Sequence, residues 1–140
     1  MSTLSQQKAA NTIQSFRTND PYYIAEKLDI AVLEHHLSGR LKELYFGDYI
    51  ILNKKMPYSQ KRRYLAHALG HHFLHAGNYL FFSQMRYLQN TKEEIQAEEF
   101  AAFLLIPPIS LSSIHSDDIA ELADYFQVPP SFMQFRLSLQ

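Results

Sequence analysis

A proline-free stretch from residue 59 to residue 75 places the strongest limit on how this chain can fold. Apolar side chains recur within it at one-turn intervals, as at Leu65 and Leu69, among charged and histidine positions. This spacing is typical of an amphipathic helix. We therefore predict a central helix over this stretch. It should end near Gly77 and Asn78, since both residue types readily adopt the left-handed conformation that terminates helices.

Two histidines occupy positions 67 and 71 of this predicted helix. Residues at this spacing share one helix face and lie about one turn apart. The imidazoles of His67 and His71 can therefore reach one metal ion. Catalytic zinc usually takes three protein ligands and keeps a further position open, so a third donor must come from another segment.

The candidate third donor is Glu94, in the first turn of a second predicted helix from Lys92 to Leu105. This helix stops before Pro107 and Pro108, because proline cannot continue a hydrogen-bonded helix interior. Glu98 lies one turn beyond Glu94 on the same face. One carboxylate could bind the metal while the other orients a ligating histidine.

The same residues also allow a purely structural interpretation. Two histidines on one helix can be ordinary surface or core residues with backbone partners. The segment Thr91-Lys-Glu-Glu94 fits a capping box, in which the Glu94 side chain bonds back to the cap amide instead of a metal. Without any family resemblance, the residues favour the capping box for Glu94.

The remaining segments predict an α+β fold, in which a small, largely antiparallel sheet packs on the central helix and on the second, ligand-bearing helix. Short runs rich in β-branched and aromatic residues mark the strands, and Asp20 before Pro21 is a helix-start signal. The predicted helices are 4–17, 21–28 and two short ones on either side of 128–130, and the predicted strands are 30–33, 41–46 and 49–52.

Composition supports one domain with a local recognition site. The chain has 140 residues and 46% hydrophobic side chains, enough for one core. We expect a single domain with an N-terminal helix in 1–19, a core in 20–108 and a helical segment in 109–140. A formal net charge of -1 gives no global field for nucleic acid or an anionic membrane. With no cysteine and no apolar run near the roughly 18 residues of a membrane span, we expect a cytoplasmic protein.

The chain contains AHALGHHFLH at 66–75 and, further on, EIQAEEFAAFLLIP at 94–107. This pair resembles, in order, the two motifs of the ImmA/IrrE family of metallopeptidases. Those motifs are His-Glu-x-x-His and a downstream Glu-x-x-Ala-Asn/Asp-x-Phe-Ala followed by aliphatic residues and proline. The resemblance extends to DPYYIAEKLDI at 20–30 and to the closing VPPSFMQFRL, and so covers most of the chain after residue 20. The positions that match the downstream motif are Glu94, Ala97, Phe100, Ala101 and Pro107.

The resemblance implies a zincin-like peptidase fold in which His67, His71 and Glu94 bind zinc. Glu98 stands where the family usually has Asn or Asp. The important departure is Ala68, which replaces the glutamate that activates the zinc-bound water in such enzymes. A methyl group cannot accept a proton, and loss of a general base typically slows catalysis by roughly 10²–10⁴-fold.

Three explanations of Ala68 stay open at this stage. The alanine could be a substitution introduced to trap an inactive form, or it could belong to a natural branch whose site binds without classical hydrolysis. Another side chain could also take over the lost role, although none has the spacing of the family's glutamate. The candidates are Glu93, Glu98, Glu99, His72 and His75.

Two more positions on the central helix receive specific predictions. Gly70 lies inside the helix, where glycine costs about 1 kcal/mol relative to alanine, so close packing should require it. His75 lies roughly 12 Å along the axis from His67, too far to be a third ligand from the same helix. We expect His75 at the helix end or beside a ligating histidine.

Two charged segments invite other functions that their details do not favour. The basic residues within 54–63 could meet an acidic partner or nucleic acid, but a solvated turn is the favoured interpretation. The segment 117–140 has the spacing of a helix-turn-helix, yet its acids outnumber its single base, Arg136. We interpret it as a packing element or a protein-docking surface.

Two functions follow from the sequence. The first is a zinc endopeptidase that cleaves a regulatory protein, such as a repressor of a phage or mobile element, and that is inactive as written because of Ala68. The second is an antirepressor-like regulator that holds the same kind of partner in the same groove without cutting it. Both predict a protein or peptide partner, and neither needs direct contact with nucleic acid or a membrane.

Overall fold

The computed structural model describes residues 3–75, 81–82 and 91–139, with 81–82 described by backbone alone. The fold is α+β, as the sequence predicts. None of the helices in these described ranges has the length and apolar character needed to cross a lipid bilayer. In chain order the elements are α1 (Leu4–Phe16), α2 (Pro21–Lys27), β1 (Ala31–His35), β2 (Glu43–Tyr45), β3 (Tyr49–Asn53), α3 (Tyr58–Leu74), β4 (Phe81–Phe82), α4 (Lys92–Leu105), α5 (Pro108–Ser112), α6 (Ile119–Phe126) and α7 (Pro130–Leu137).

The strands of the described residues form one mixed sheet in the order β1-β3-β2-β4. β2 pairs antiparallel with both β3 and β4. β1 pairs in parallel with β3, with Ala31 opposite Tyr49 and His35 opposite Asn53. The expected antiparallel pairing is therefore confirmed for β2 with both of its neighbours. It does not hold for β1, which is parallel to β3.

The parallel pair arises because β3 lies between the two strands that precede it in the sequence. The connection 36–42 must pass over the end of β3, where the Asn53 side chain donates to the carbonyls of Leu37 and Leu41 at 3.2 and 3.0 Å. β2 and β3 are joined by a tight turn in which Gly47 has a φ of 90°, a conformation that glycine adopts without a steric penalty. The turn predicts the hairpin, but no local signal predicts where β1 will pair.

The helices α3 and α4 pack against each other and carry the predicted site. Their backbones come close at Gly70, where an added Cβ would lie 2.8 Å from the Ala97 carbonyl oxygen and 2.9 Å from the Ala97 Cα. Real Cβ atoms essentially never come so close to other heavy atoms. A glycine at this position therefore lets α4 approach α3.

Most helix boundaries agree with the sequence, and one helix is new. α4 has the predicted bounds, and α1 and α2 begin where the sequence predicts. α3 ends at Leu74 with His75 as its C-cap, while the predicted terminators Gly77 and Asn78 lie outside the described residues. The short α5 was not predicted; Pro108 occupies its first turn, where a missing backbone N–H does no harm.

The C-terminal helices α6 and α7 are held to the core by an internal cation. Arg136 is buried, and its Nε donates to the Ile106 carbonyl at 2.8 Å. Its guanidinium lies 4.5 Å from the centroid of the Phe103 ring on α4, within the range of a cation–π contact. Arg136 therefore helps to pack α7 against α4.

The basic residues of 54–63 are divided between the interior and the surface. Lys61 Nζ lies 2.9 Å from Glu34, and Arg62 is buried. Lys54 and Lys55 are exposed. The solvated turn that the sequence predicts therefore describes Lys54 and Lys55, while the basic residues further along take part in the fold.

Candidate metal centre

His67 and His71 lie on α3 with both side chains buried, and their ring centroids are 5.0 Å apart. Glu94 reaches them from the first turn of α4. Its Oε1 lies 2.9 Å from His67 Nε2, and its Oε2 lies 2.8 Å from His71 Nε2. One potential ligand atom from each residue therefore lies within 4.8 Å of the others. Ala68, which directly follows His67, is fully buried.

The backbone and the side chain of Glu94 serve different purposes. Its amide donates to Thr91 Oγ1 at 3.2 Å, so Thr91 caps α4 as its sequence position predicts. Its two carboxylate oxygens both lie against histidine nitrogens. The capping signal and the site are therefore compatible, because they use different atoms of Glu94.

Glu98 contacts the far side of the His67 ring. Its Oε1 accepts from His67 Nδ1 at 3.0 Å, and its Oε2 accepts from Arg63 at 2.6 Å. A carboxylate can only accept hydrogen bonds when ionised, so it keeps a proton on Nδ1 and turns Nε2 toward Glu94. The sequence spacing predicts this role for a second carboxylate, whereas nothing in the sequence singled out Arg63 as its anchor.

The far side of the His71 ring is contacted by two further side chains. His71 Nδ1 lies 3.1 Å from His75 Nδ1, and His75 Nε2 lies 3.0 Å from Gln96 Oε1. On α1, Ser5 Oγ donates to the Gln96 backbone carbonyl at 3.0 Å. His75 thus lies at the helix end and beside His71. Gln96 was not identified from the sequence, because a glutamine on a helix carries no motif signal.

Burial and hydrogen bonding shift the pKa values of this group in opposite directions. Burial by itself lowers the pKa of His67, but its hydrogen bonds to Glu94 and Glu98 outweigh burial and raise that pKa to about 10. Burial by itself raises the pKa of both acids, but the histidine contacts outweigh it and hold each acid's pKa at about 2. Burial lowers the pKa of His71 to about 4. At neutral pH two carboxylates therefore flank a protonated His67, and His71 is neutral.

The side chains that the sequence offers as substitute bases have other positions or partners. Glu93 is exposed, and Glu99 is only partly buried. Glu98 accepts hydrogen bonds at both carboxylate oxygens, from His67 and from Arg63. His72 Nδ1 shares a hydrogen bond of 2.7 Å with the Tyr45 hydroxyl. These four side chains therefore give no support for a replacement of the family's glutamate.

The structure reveals one further acid close to the site. Glu43 on β2 is buried, and its Oε2 has no hydrogen-bond partner within the described residues. Burial raises its pKa to about 8; the charge of His67 opposes this shift, and the charges of Glu94 and Glu98 add to it. Strand alternation could have indicated Glu43, because it shares a face of β2 with buried Tyr45.

Comparison with known proteins assigns this arrangement to a family. Residues 25–138 match the family model Peptidase_M78, the IrrE N-terminal-like domain. The chain belongs to this family. The matched residues of the IrrE N-terminal-like domain include α3, α4 and the whole His67, His71 and Glu94 group, so the resemblance drawn from two motifs is confirmed.

The chain is also similar to a protein of Bacillus phage phi105 named "Uncharacterized immunity region protein 2". The two sequences are 29% identical, and the match covers 84% of this chain and 81% of the phage protein. The similarity therefore extends well beyond the two short motifs of the IrrE N-terminal-like domain.

The donor atoms suit the metal chemistry of a metallopeptidase family. Two imidazole nitrogens and one carboxylate oxygen form one of the ligand sets that catalytic zinc takes in proteins. Each histidine has a hydrogen-bonding partner on its other ring nitrogen, which is how ligating histidines are usually oriented. The residues present therefore fit a metal ion.

Proposed function

We propose that this protein is a zinc-dependent regulator built on a peptidase fold, which binds a repressor-type protein and does not cleave it efficiently. One combination carries the proposal: the ligand group of His67, His71 and Glu94 is complete, while the adjacent position 68 holds a buried alanine. The first feature supports metal binding, and the second argues against rapid hydrolysis.

His67, His71 and Glu94 would hold the zinc ion, each through one atom. When bound, zinc would supply a Lewis acid that polarises a peptide carbonyl. His67 must release its Nε2 proton to become a ligand, so zinc uptake should be accompanied by proton release. Glu98, itself anchored by Arg63, keeps the other face of the His67 ring in place.

The chemistry of position 68 explains why slow or absent cleavage is expected. Peptide hydrolysis needs a group that takes a proton from the attacking water, and such a group contributes roughly 10²–10⁴-fold to the rate. The Ala68 methyl cannot take a proton. The nearby carboxylates are already engaged, Glu94 by two histidines and Glu98 by His67 and its arginine partner. A peptide bound here would therefore be held rather than cut.

A protein partner is supported by membership of a peptidase family, because peptidases recognise polypeptide chains. The narrower choice of a repressor is supported by the similarity to a phage protein whose name assigns it to an immunity region. A repressor that controls such a region is the partner that we propose. The balanced net charge of -1 agrees with recognition of a protein at a local site.

A second candidate function, active cleavage, is favoured by Glu43. A buried carboxyl group with a pKa near 8 can exchange a proton near neutral pH, and Glu43 is on β2, which packs against the histidine-bearing α3. In that case β2 would provide the proton acceptor that α3 lacks. The variant Glu43→Gln keeps the shape of the side chain and removes the acceptor, so it distinguishes the two functions.

Metal content tests the first part of the proposal. The purified protein should bind about one zinc per chain, and the double variant His67→Ala/His71→Ala should bind none. The matched control is His35→Ala/His36→Ala, which removes two exposed histidines and should leave the zinc content unchanged. Equal zinc content in the two double variants would disprove the assigned ligands.

Partner binding tests the second part. Purified repressors encoded on the same genetic element should be retained by the immobilised protein and recovered intact. Chelation of zinc should release them, and the His67→Ala/His71→Ala variant should not retain them. Binding that is indifferent to both treatments would show that the metal site takes no part in recognition.

A further inference from the structure

The sheet has one face toward α3 and one face away from it. On β2, Tyr45 is buried, and its hydroxyl shares a hydrogen bond of 2.7 Å with His72 on α3. Successive side chains of a strand point to opposite faces, so Leu44 points away from α3. The register places Leu44 opposite Ile51 of β3, and Ile51 opposite Leu33 of β1. These three side chains therefore form a row on the side of the sheet that is remote from the metal centre.

This remote side is apolar and partly open to solvent. Leu33 is 41% exposed. Tyr49, two residues before Ile51 and on the same side of β3, is 37% exposed, and its ring stacks on Phe46 with the centroids 4.8 Å apart. Large apolar side chains exposed next to one another often mark a surface that another molecule covers. We call the side chains of Leu33, Leu44, Tyr49 and Ile51 the outer face.

One end of the sheet carries basic side chains from two separate segments. Arg40 and Lys42 precede β2, whereas Lys54 and Lys55 follow β3, and all of them except the half-buried Lys42 are exposed. The connection into β2 and the turn after β3 contain no Asp or Glu. Among the residues that the structure describes, none of these four basic side chains forms an ion pair. We call these four residues the basic rim.

Asn53 joins the two segments of the basic rim. Its backbone N–H donates to the Lys42 carbonyl at 2.9 Å, and its side-chain amide donates to the carbonyls of Leu37 and Leu41. Its Oδ1 accepts from the Lys55 backbone N–H at 3.2 Å. Lys42 also lies two residues before the β2 member of the outer face, and therefore on the same side of the sheet. The fold thus brings the basic rim next to the outer face.

An apolar surface beside a basic rim favours a protein partner over nucleic acid. Protein interfaces have apolar side chains at the centre and charged side chains at the rim, and the charges of the two partners are complementary. A phosphate backbone has nothing to cover the outer face, and protein–DNA interfaces are more polar. The formal net charge of -1 gives no long-range attraction for nucleic acid either. The matching chemistry is a polypeptide that combines apolar residues with clustered Asp or Glu.

We infer that the outer face and the basic rim form a docking surface for an acidic, apolar segment of a protein partner, separate from the metal centre. The inference rests on the proposed function only in assigning this segment to the same partner. Two contacts with one partner bind it more tightly than either contact does alone. Because the surface lies on the other side of the sheet from α3, docking there should not require zinc.

Three labelled peptides of equal length test the chemistry of this surface, with leucine alternating with Glu, Gln or Lys. In fluorescence anisotropy, the Glu peptide should bind the parent about tenfold more tightly than the Gln peptide, and the Lys peptide should bind most weakly. Added salt should reduce these differences. Equal affinities, or a preference for the Lys peptide, would overturn the inference. A DNA duplex that binds more tightly than the Glu peptide would overturn it in favour of nucleic acid.

A pair of double variants locates the charge that binds the Glu peptide. Lys54→Gln/Lys55→Gln removes two charges of the basic rim and should weaken binding about fivefold, as expected for two exposed ion pairs. Lys27→Gln/Lys92→Gln removes two exposed lysines on α2 and α4 and should bind like the parent. Circular dichroism checks that both variants are folded. Equal affinities of the two double variants would overturn the inference.

The apolar part of the surface has its own matched pair. Leu33→Gln should weaken binding of both the Glu and the Gln peptide, because it removes an exposed leucine of the outer face. Leu4→Gln removes an exposed leucine of α1 and should leave both affinities unchanged. Parent-like binding by folded Leu33→Gln would show that the peptides do not use the outer face, and would overturn the inference.

Two further measurements separate this surface from other modes of binding. Removal of zinc with a chelator should leave the affinity for the Glu peptide unchanged, whereas loss of binding would place the peptide at the metal centre and overturn the inference. Sedimentation of the parent alone should show no self-association that Lys54→Gln/Lys55→Gln abolishes, because such association would assign the surface to a second copy. If the parent binds no zinc, the proposed function fails, while the peptide affinities still decide the inference.

Discussion

Glu94 is the residue that connects the two halves of the site, because its two carboxylate oxygens lie against nitrogens of His67 and His71. All three side chains are buried. Removal of one partner from a buried ionic group leaves the remaining charge without compensation and typically costs about 3–5 kcal/mol. Glu94 should therefore stabilise the fold before any metal binds.

The variant Glu94→Ala tests this contribution in zinc-free protein. We expect its free energy of unfolding, measured with urea, to fall by about 3 kcal/mol, because the protonated His67 loses a buried partner. The neighbouring and exposed Glu93→Ala is the matched control and should change stability by no more than about 0.5 kcal/mol. Similar values for the two variants would show that the Glu94 contacts contribute little to folding.

The buried Glu43 should make stability depend on pH in a recognisable way. Its pKa is raised from 4.5 to about 8 in the folded protein, mainly by burial. A raised pKa means that the folded state holds the proton more tightly than the unfolded state. The stability that the protonated Glu43 contributes is therefore fully present below pH 4.5 and is lost as the pH rises through 8.

The variant Glu43→Gln removes this dependence. In zinc-free protein, the parent should lose stability relative to Glu43→Gln between pH 5 and pH 9, as followed by urea unfolding at several pH values. The exposed Glu26→Gln serves as the control, and its profile should follow that of the parent. If the free energies of unfolding of the parent and Glu43→Gln differ by the same amount across this range, the raised pKa of Glu43 would be contradicted.

The pairing of α3 with α4 depends on the absence of a side chain at Gly70. We predict that Gly70→Ala destabilises the protein by about 1–3 kcal/mol, although alanine favours helices, because the added Cβ overlaps the Ala97 backbone. The nearest atoms are the Ala97 carbonyl oxygen and Cα, so the second change Ala97→Gly should not restore stability. Thermal melting of the single and double variants checks both statements. A melting temperature of Gly70→Ala at or above that of the parent would contradict the close approach.

Helices and the hairpin could be predicted from the sequence because their signals are local. Thr91 and the prolines after residue 106 define α4, and Gly47 marks the turn between β2 and β3. The parallel pairing of β1 depends on the distant Asn53, which holds the connection 36–42 over the end of β3. Such long-range pairing leaves no periodic trace in the sequence, so the sheet could be predicted only in part.

The same distinction applies to the site. Spacing within one helix brings His67 and His71 together. For Glu94, the family resemblance favours the role of metal ligand over the role of capping-box residue. The residues behind them are different, because Gln96 and Glu43 acquire their roles only when separate elements pack. A glutamine on a helix carries no signal until its neighbours are known. Strand alternation can indicate that Glu43 shares a face of β2 with buried Tyr45, but it does not predict which element that face packs against.

The protein as a whole holds the ligand group from several sides. α1 packs on α4 and bonds to the Gln96 carbonyl, β2 and α2 pack on α3, and α7 packs on α4. The positions of His67, His71 and Glu94 are therefore set by the core and not by a mobile surface loop. What the chain lacks, on this account, is a single proton acceptor at position 68.

Peptidase activity of the Ala68→Glu variant is the most direct test of that statement. Ala68→Gln is the matched control, because glutamine has the size of glutamate and does not act as a general base. All three proteins should bind zinc equally, since position 68 supplies no ligand. With a repressor that the parent binds, Ala68→Glu should cleave at least about 100-fold faster than the parent or Ala68→Gln, and chelation should abolish the cleavage. Chelator-sensitive cleavage by the parent, at a rate that Ala68→Glu does not exceed, would contradict the account. If the Glu43→Gln variant then lost this cleavage activity, the proton acceptor would be assigned to Glu43 on β2.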